Sequence, residues 1–465
     1  TALSADTSIP TVDLAKVIID DFISTSATSG SPTTLSLIDL AELSGTVPAP
    51  LTAFSNDTST MLDSDYAAVS NARSGAKDFS SSSKINQIDL IHFLDNLSTD
   101  SAKTLANALR GCVKYNRSGM SVTNANGVTI YFPYQSLGKV STALSTYNKI
   151  GMNKSYTNCI KSFASMAAGG QVTSGSSQNA MGSLLGNSSG SLLGSLLGGS
   201  SSGASSSSGD IVGTLLEAFL SGDRSLVTGD ADSSWVEEDR LRASLDYFSE
   251  TRVGLDALTL TEVDGRQVLS LSEEQWASIQ TLEMNLFIND GDGYIDLGFD
   301  PYAEYDDAGN LIMEFDGTWL SVNGQNVAAY FISEDRVDDN YTLLYRVPAL
   351  LNGQRVNVIL AITGNYADDA DEECLLLGAQ TDYEETSDAV MKGLLPIEAG
   401  DSLQFLCDYY SYAGEYLDSY MLGEELTATE DWVVGYASVG EVSWSMCYRL
   451  TDIYSGRYWT PVVTN

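Results

Sequence analysis

The chain is 465 residues long, 43% apolar, with 62 Asp and Glu against 23 Lys and Arg and a formal net charge of −39. That length allows two or three domains with cores of their own. The charge argues against nucleic-acid binding and against docking on an anionic membrane, both of which need clustered cations. No apolar run reaches the ~18 residues of a spanning helix.

The charge is unevenly placed. Residues 1–209 carry 13 Asp and Glu and 12 Lys and Arg, whereas residues 210–465 carry 49 and 11. All six Trp fall in the second part, and Lys392 is its only lysine. A Ser/Gly-rich tract over 169–209, with SLLG at Ser183, Ser191 and Ser195, reads as a flexible tether between the two. Three segments are therefore expected: 1–168, the linker 169–209, and an acidic 210–465.

In chain order, Thr11 opens a helix to about Ile23, and TLSLIDL (Thr34–Leu40) reads as a short buried strand. Pro48 and Pro50 precede a helix through Met61. A further helix carries Ile85, Ile88, Ile91 and Leu94, and another runs from Ser101 to about Tyr115. GVTIYF (Gly127–Phe132) is rich in β-branched and aromatic residues and reads as a strand, stopped by Pro133. Two short helices follow, to about Met166. Two strands among many helices suggest part of an α/β sandwich whose remaining strands lie upstream of Thr1. The chain begins at Thr1 with neither a charged n-region nor an apolar h-region, which points to a processed N-terminus.

Beyond the linker, Ile211–Leu220 reads as a helix and Ala257–Leu271 as a hairpin around Asp264-Gly265. SEEQW at Ser272 has the form of a capping box. Leu282–Gly298 is strand–turn–strand, and further strands are expected over 310–315, 318–322, 326–332, 341–349 and 354–362. Intervals near ten residues point to a mainly-β accessory domain built as a β-sandwich. A tyrosine-rich stretch (Tyr409, Tyr410, Tyr412, Tyr416, Tyr420) precedes the final strands.

Few residues announce chemistry. The one histidine, His92, sits beside an apolar stripe with no nucleophile motif nearby, so it reads as a structural residue at a helix edge. Five widely spaced cysteines show no C-x-x-C and read as buried free thiols, with a Cys407–Cys447 bridge the alternative. The turn Asn289–Asp296 departs from an EF-hand loop because Tyr294 takes a ligand position. It reads as a hairpin turn, with Asp290, Asp292 and Asp296 as calcium candidates. The clusters at Asp368–Glu373 and Asp335–Asp339 read as solvated loops.

Much of residues 1–168 resembles the clostripain-like cysteine peptidases, family C11. The matching blocks are TALSADTSIPTVDLAKVIIDDFI, TLSLIDLAEL, INQIDLIHFLDNL, NANGVTIYFPY and STALSTYNKIGMNKSYTNCIKSFASM. GYIDLG, DGTWLSVNGQ and VPALLNGQRVNVIL look like the accessory domain of bacterial members. The resemblance implies a caspase-like α/β sandwich and a His/Cys dyad that cleaves after Arg or Lys. It also implies export, internal cleavage on activation and, in some members, calcium dependence. The dyad's D-A-C-type motif has no counterpart here, so no functional residue carries over, and neither a catalytic nor a substrate-binding position is assigned. The expectation is therefore the C-terminal portion of a secreted or surface bacterial endopeptidase. Its partners would be the missing N-terminal portion and protein or peptide substrates with Arg or Lys. The alternative is a non-catalytic surface protein that binds glycans or proteins on a degenerate peptidase scaffold.

Overall fold

The computed structural model describes residues 8–27, 33–79, 86–173 and 258–465, with short interruptions, together with parts of 235–247. The interruptions fall at 120–121, 135–136, 138, 338, 382–393, 413–415, 430 and 455. Most of the Ser/Gly tract and the expected Ile211–Leu220 helix lie outside the described residues. The chain is a mixture of helices and many strands, with one large strand-rich sheet. No described helix is long and apolar enough to cross a membrane. Contacts divide it into two units, Thr1–Gly169 with Arg224–Glu250, and Gly170–Asp223 with Thr251–Asn465.

The first unit begins with α1 (Thr11–Ala27), β1 (Thr34–Ile38), α2 (Leu40–Thr46), α3 (Pro48–Met61) and α4 (Tyr66–Ser74). It continues with β2 (Gln87–Asp89), α5 (Leu90–Leu97), α6 (Asp100–Cys112), β3 (Val113–Ser118) and β4 (Thr129–Tyr131). It then runs through α7 (Val140–Ile150) and α8 (Lys154–Thr173). Local chemistry sets several starts. Asp39 caps α2 through the amides of Ala41 and Glu42, Asp89 caps α5 through His92, and Thr99 caps α6 through Ala102.

Two expected helices are shorter than periodicity suggested. The Ile85–Leu94 block opens as strand β2, antiparallel to β4, and turns helical only at Leu90. The Ser101–Tyr115 helix stops at Cys112, because Val113–Ser118 pairs antiparallel with β1 from Thr34↔Ser118 to Ile38↔Val113. Ladder partners outweigh helical spacing at these positions. The core is a run of rings. Phe54 meets Phe93 edge-on (6.1 Å between centroids), Phe93 meets Phe132 (4.8 Å), Phe132 meets Phe163 (4.9 Å), and Phe163 stacks on Tyr66 (5.3 Å).

Arg224–Glu250, grouped by composition with the acidic half, belongs to this unit by contact. Glu237 explains why. Its amide donates to Ser165 Oγ (2.9 Å) and its carboxylate accepts from Ser162 Oγ (3.0 Å), both on α8. Arg240 pairs with Asp63, and Trp235 and Leu241 are buried.

The second unit opens with the hairpin β5 (Leu260–Val263) and β6 (Arg266–Leu269), turning at Asp264 and Gly265, both at positive φ as the Asp-Gly pair predicts. Helix α9 (Glu273–Ser278) starts in the capping box, with Ser272 and Gln275 each holding the other's amide. Then come β7 (Ile279–Asn289), β8 (Tyr294–Asp300), β9 (Leu311–Ile312), β10 (Thr318–Val322) and β11 (Gln325–Asn326). The long strands are β12 (Ala329–Val337), β13 (Asn340–Leu351), β14 (Gln354–Asn365) and β15 (Asp368–Thr381). β16 (Ser402–Tyr410), β17 (Tyr416–Thr427), β18 (Val434–Ser438), β19 (Ser443–Asp452), β20 (Arg457–Trp459) and β21 (Val463–Thr464) complete it.

Of two acidic runs expected as loops, one is a strand and the other leaves a strand for the turn at Asp339, with Asp338 outside the described residues. Asp368–Glu373 opens β15, which pairs with β14, and Asp335 lies in β12. Backbone pairing with a neighbouring hairpin arm needs no apolar side chain on an exposed strand. Four strands form a closed circuit. β12 pairs with β13, β13 with β16, β16 with β8, and β8 in parallel with β12. Inside it and its extensions lies a core that includes Trp319, Tyr345, Phe405, Met446 and Tyr448. Trp319 Nε1 donates to the carbonyls of Leu297 and Val327, both at 3.1 Å. None of the six Trp is exposed.

Candidate functional site

The acidic turn and the tyrosine-rich stretch, separate in sequence, meet at one end of the β8–β16–β17 ladder. The register Asp408↔Asp296, Tyr409↔Ile295, Tyr410↔Tyr294 brings them together. Asn289 and Asp290 close the turn by accepting from backbone amides, Asn289 Oδ1 from Gly291 and Asp290 Oδ1 from Asp292 and Gly293. The tyrosines then bond to the same oxygens. Tyr409 OH donates to Asp290 (2.9 Å to Oδ1) and Tyr412 OH to Asn289 Oδ1 (2.8 Å). Gly293 permits this closeness, since a Cβ there would strike the Tyr410 carbonyl and sit 2.9 Å from the Tyr409 ring.

The rings form pairs: Tyr409 with Tyr420 (4.8 Å), Tyr410 with Tyr416 (5.8 Å) and Tyr294 with Tyr412 (5.4 Å). Tyr412, Tyr416 and Tyr420 are each about half exposed (47%, 54% and 47%). Asp290 and Asp292 are exposed, and Asp408 accepts from Ser419 Oγ at 3.0 Å. Burial alone raises the Asp290 pKa, but the amides of Asp292 and Gly293 and the Tyr409 hydroxyl outweigh it and hold the carboxyl below its ordinary range. Burial, with Asp290 adding to it, pushes the Tyr409 phenol up to about 12. The platform thus offers an ionised acceptor, neutral phenol donors and negative ring faces, a chemistry suited to holding a cation.

The three calcium candidates do not form one ligand set. Asp290 and Asp292 lie on the exposed turn, whereas Asp296 is buried (7% exposed) one strand pleat beyond Tyr294. Its Oδ1 accepts from Asn285 Nδ2 (2.9 Å) and the Gly298 amide (2.8 Å), and its Oδ2 faces Tyr330 OH (3.4 Å). Among the described residues no three His, Cys, Asp or Glu side chains converge as metal ligands. Asp290 and Asp292 on the turn and Asp296 in the core do not supply the converging oxygens a calcium ion needs. Burial, with nearby Asp408 adding to it, pushes Asp296 up to about 6 despite those hydrogen bonds. Burial does the same to Asp300, whose carboxylate accepts from the Tyr302 amide (2.7 Å) and Tyr345 OH (3.3 Å). Asn285, Tyr330 and Asp408 were not singled out by sequence. The alternation of GYIDLG puts Asp296 on the face opposite Ile295 and Leu297, which reads as solvent-facing, so its burial had no local signal.

The remaining candidates carry no reactive geometry. His92 lies on α5 and accepts the Lys77 amide at Nδ1 (3.0 Å), a structural task. All five cysteines are free thiols, Cys407 and Cys447 included. Burial pushes Cys159 and Cys407 up to about 12, Cys374 to about 11 and Cys447 higher still, away from the thiolate a nucleophile needs.

In comparisons with known proteins, no family model, no curated protein and no solved structure matches this chain.

Proposed function

We propose that the chain is the C-terminal portion of a secreted clostripain-like cysteine endopeptidase that cleaves after Arg or Lys. In this reading the first unit contributes part of a caspase-like α/β sandwich, and the second is an acidic accessory domain of β-sandwich type. One observation carries the reading. Three of the blocks that resemble the family make a single braced cluster: β2 and α5 from INQIDLIHFLDNL, β4 from NANGVTIYFPY, and α7 and α8 from the block ending in Met166. Tyr131 on β4 is held on both sides, its amide donating to Tyr147 OH (2.9 Å) and its carbonyl accepting from Tyr156 OH (2.8 Å). In this reading the reactive pair sits on another polypeptide, and the raised thiols of Cys159, Cys374, Cys407 and Cys447 and the structurally engaged His92 support it.

The test is an assay of the purified chain on fluorogenic Arg and Lys peptides, alone and mixed with the polypeptide encoded upstream of Thr1. No cleavage alone and cleavage after Arg or Lys on mixing are expected. An upstream polypeptide without a His and a Cys in reach of one another, or a mixture that stays inactive, would sink the reading. The second reading, a non-catalytic binding protein, draws on the tyrosine–carboxylate platform, which has acceptors and ring faces but no nucleophile. It expects no cleavage in any mixture.

A further inference from the structure

Strand β17 pairs with β16 and, among the described residues, with no other strand, so one edge of a 12-residue strand carries no ladder partner. Exposed edges of this length are usually short, bulged or studded with lysine, because an open row of N–H and C=O groups templates another strand. Tyr416–Met421 carries no lysine or proline, and its one irregularity is a bulge at Leu417, where the ladder steps from Tyr410↔Tyr416 to Tyr409↔Asp418. Leu417 is 48% exposed and Met421 68% exposed. The side chain of Gln325 reaches only the far part, at the Leu422 and Glu424 carbonyls and the Glu424 amide.

We propose that this edge is a docking strand for an extended segment of another polypeptide carrying Lys or Arg at alternate positions. Charge selects that occupant. The span 402–427 contains Asp408, Glu415, Asp418, Glu424 and Glu425 and no Lys or Arg. A second copy of β17 would set Asp418, Glu424 and Glu425 against the same carboxylates, and like charges facing one another across strands are destabilising. Arg355 touches the strand at Ser419 Oγ (3.4 Å) and leaves this sign unchanged. Register supplies the seat. Tyr409 faces Asp418 and Cys407 faces Tyr420 across the ladder, so Asp418 and Tyr420 lie on the face that carries Tyr409. Side chains two apart on an added strand share a face. Alternate cations would then meet Asp418 and the Tyr409–Tyr420 ring pair, while the residues between them lie toward Ser419 and Met421. The inference stands apart from the peptidase reading, since it concerns binding without cleavage.

The test is fluorescence anisotropy with the full chain and a peptide of alternating Lys and Val, about ten residues long. A Glu–Val peptide and a Lys–Val peptide N-methylated at alternate amides serve as controls. The Lys–Val peptide is expected to bind, more weakly as salt rises. N-methylation should weaken binding about tenfold or more through lost ladder hydrogen bonds. Neutralising Asp418→Asn, Glu424→Gln and Glu425→Gln together should weaken it several-fold, with circular dichroism checking the fold. The proposal is overturned if the methylated peptide or the neutralised variant binds as well as its parent, or if the Glu–Val peptide binds equally. It is also overturned if sedimentation shows copies pairing in a way that Met421→Pro abolishes. The methylation arm uses the unaltered chain and so survives any failure of a variant to fold.

Discussion

Arg73 is 2% exposed in the core of the first unit, and its guanidinium is distributed over three acceptors. Nε donates to the Phe132 carbonyl (2.9 Å), while Nη2 donates to Asp78 (2.9 Å) and Asn86 (3.2 Å). It also lies over the Tyr134 ring (5.1 Å). Arg73→Ala would remove the ion pair to Asp78 and the hydrogen bonds to Phe132 and Asn86, and leave the guanidinium's space in the core unfilled. A loss of about 3–5 kcal/mol is expected in urea unfolding. Asp296 and Asp300 act in the other unit and with the opposite charge. Their folded pKa values near 6 lie above the ordinary 3.8, so the native state holds protons that the unfolded chain has released between those values. Their contribution is complete below about pH 4 and is lost as pH rises through about 6. Each is worth at most about 3 kcal/mol. The second unit should therefore unfold at lower urea at pH 8 than at pH 5. The Asp296→Asn, Asp300→Asn double variant should flatten that slope, which separates these two groups from the general easing of carboxylate repulsion in acid.

Among the elements, β8 depends on a single residue. Gly298 sits at φ 101°, and a Cβ there would collide with the Ala329 carbonyl across the only parallel pairing in the sheet circuit, β8 with β12. Gly298→Ala should cost at least about 3 kcal/mol, from the backbone conformation and the clash together. A wild-type urea midpoint in that variant would refute the assignment. The elements legible in sequence were those fixed locally. Asp264-Gly265 dictates its turn, Ser272 with Gln275 its cap, and the alternation around Asn289–Asp296 its two arms. β3 and β15 were not legible. Val113–Ser118 continues a helical period, and Asp368–Glu373 looks solvated; only a partner strand makes either a strand, the distant β1 for the first and the adjoining hairpin arm β14 for the second. The candidate site was half legible. Asp290 and the tyrosine stretch each stood out, but nothing local links residues 119 positions apart.

At the scale of the molecule, the step in charge near residue 210 and the division by contact fall at different places. Composition reports solvent-facing chemistry, whereas the docking of 235–247 on α8 turns on two serines and a glutamate that composition does not weigh. The net charge of −39 should make association with basic polypeptides fast at low salt. Association rates measured by stopped flow should fall as ionic strength rises, whatever their fate after binding.

The strand circuit gives the second unit an uneven resistance to opening. A strand at the rim, such as β17, gives up one set of ladder neighbours when it leaves. β12, β13, β16 and β8 each have two neighbours inside the ring, so none can leave without breaking it. Amide hydrogen exchange should follow that division, with rim amides exchanging through local opening and ring amides only through global unfolding. The ring also joins segments from residue 294 to residue 410, so its closure waits on distant contacts and should be the slow step in refolding of the acidic unit.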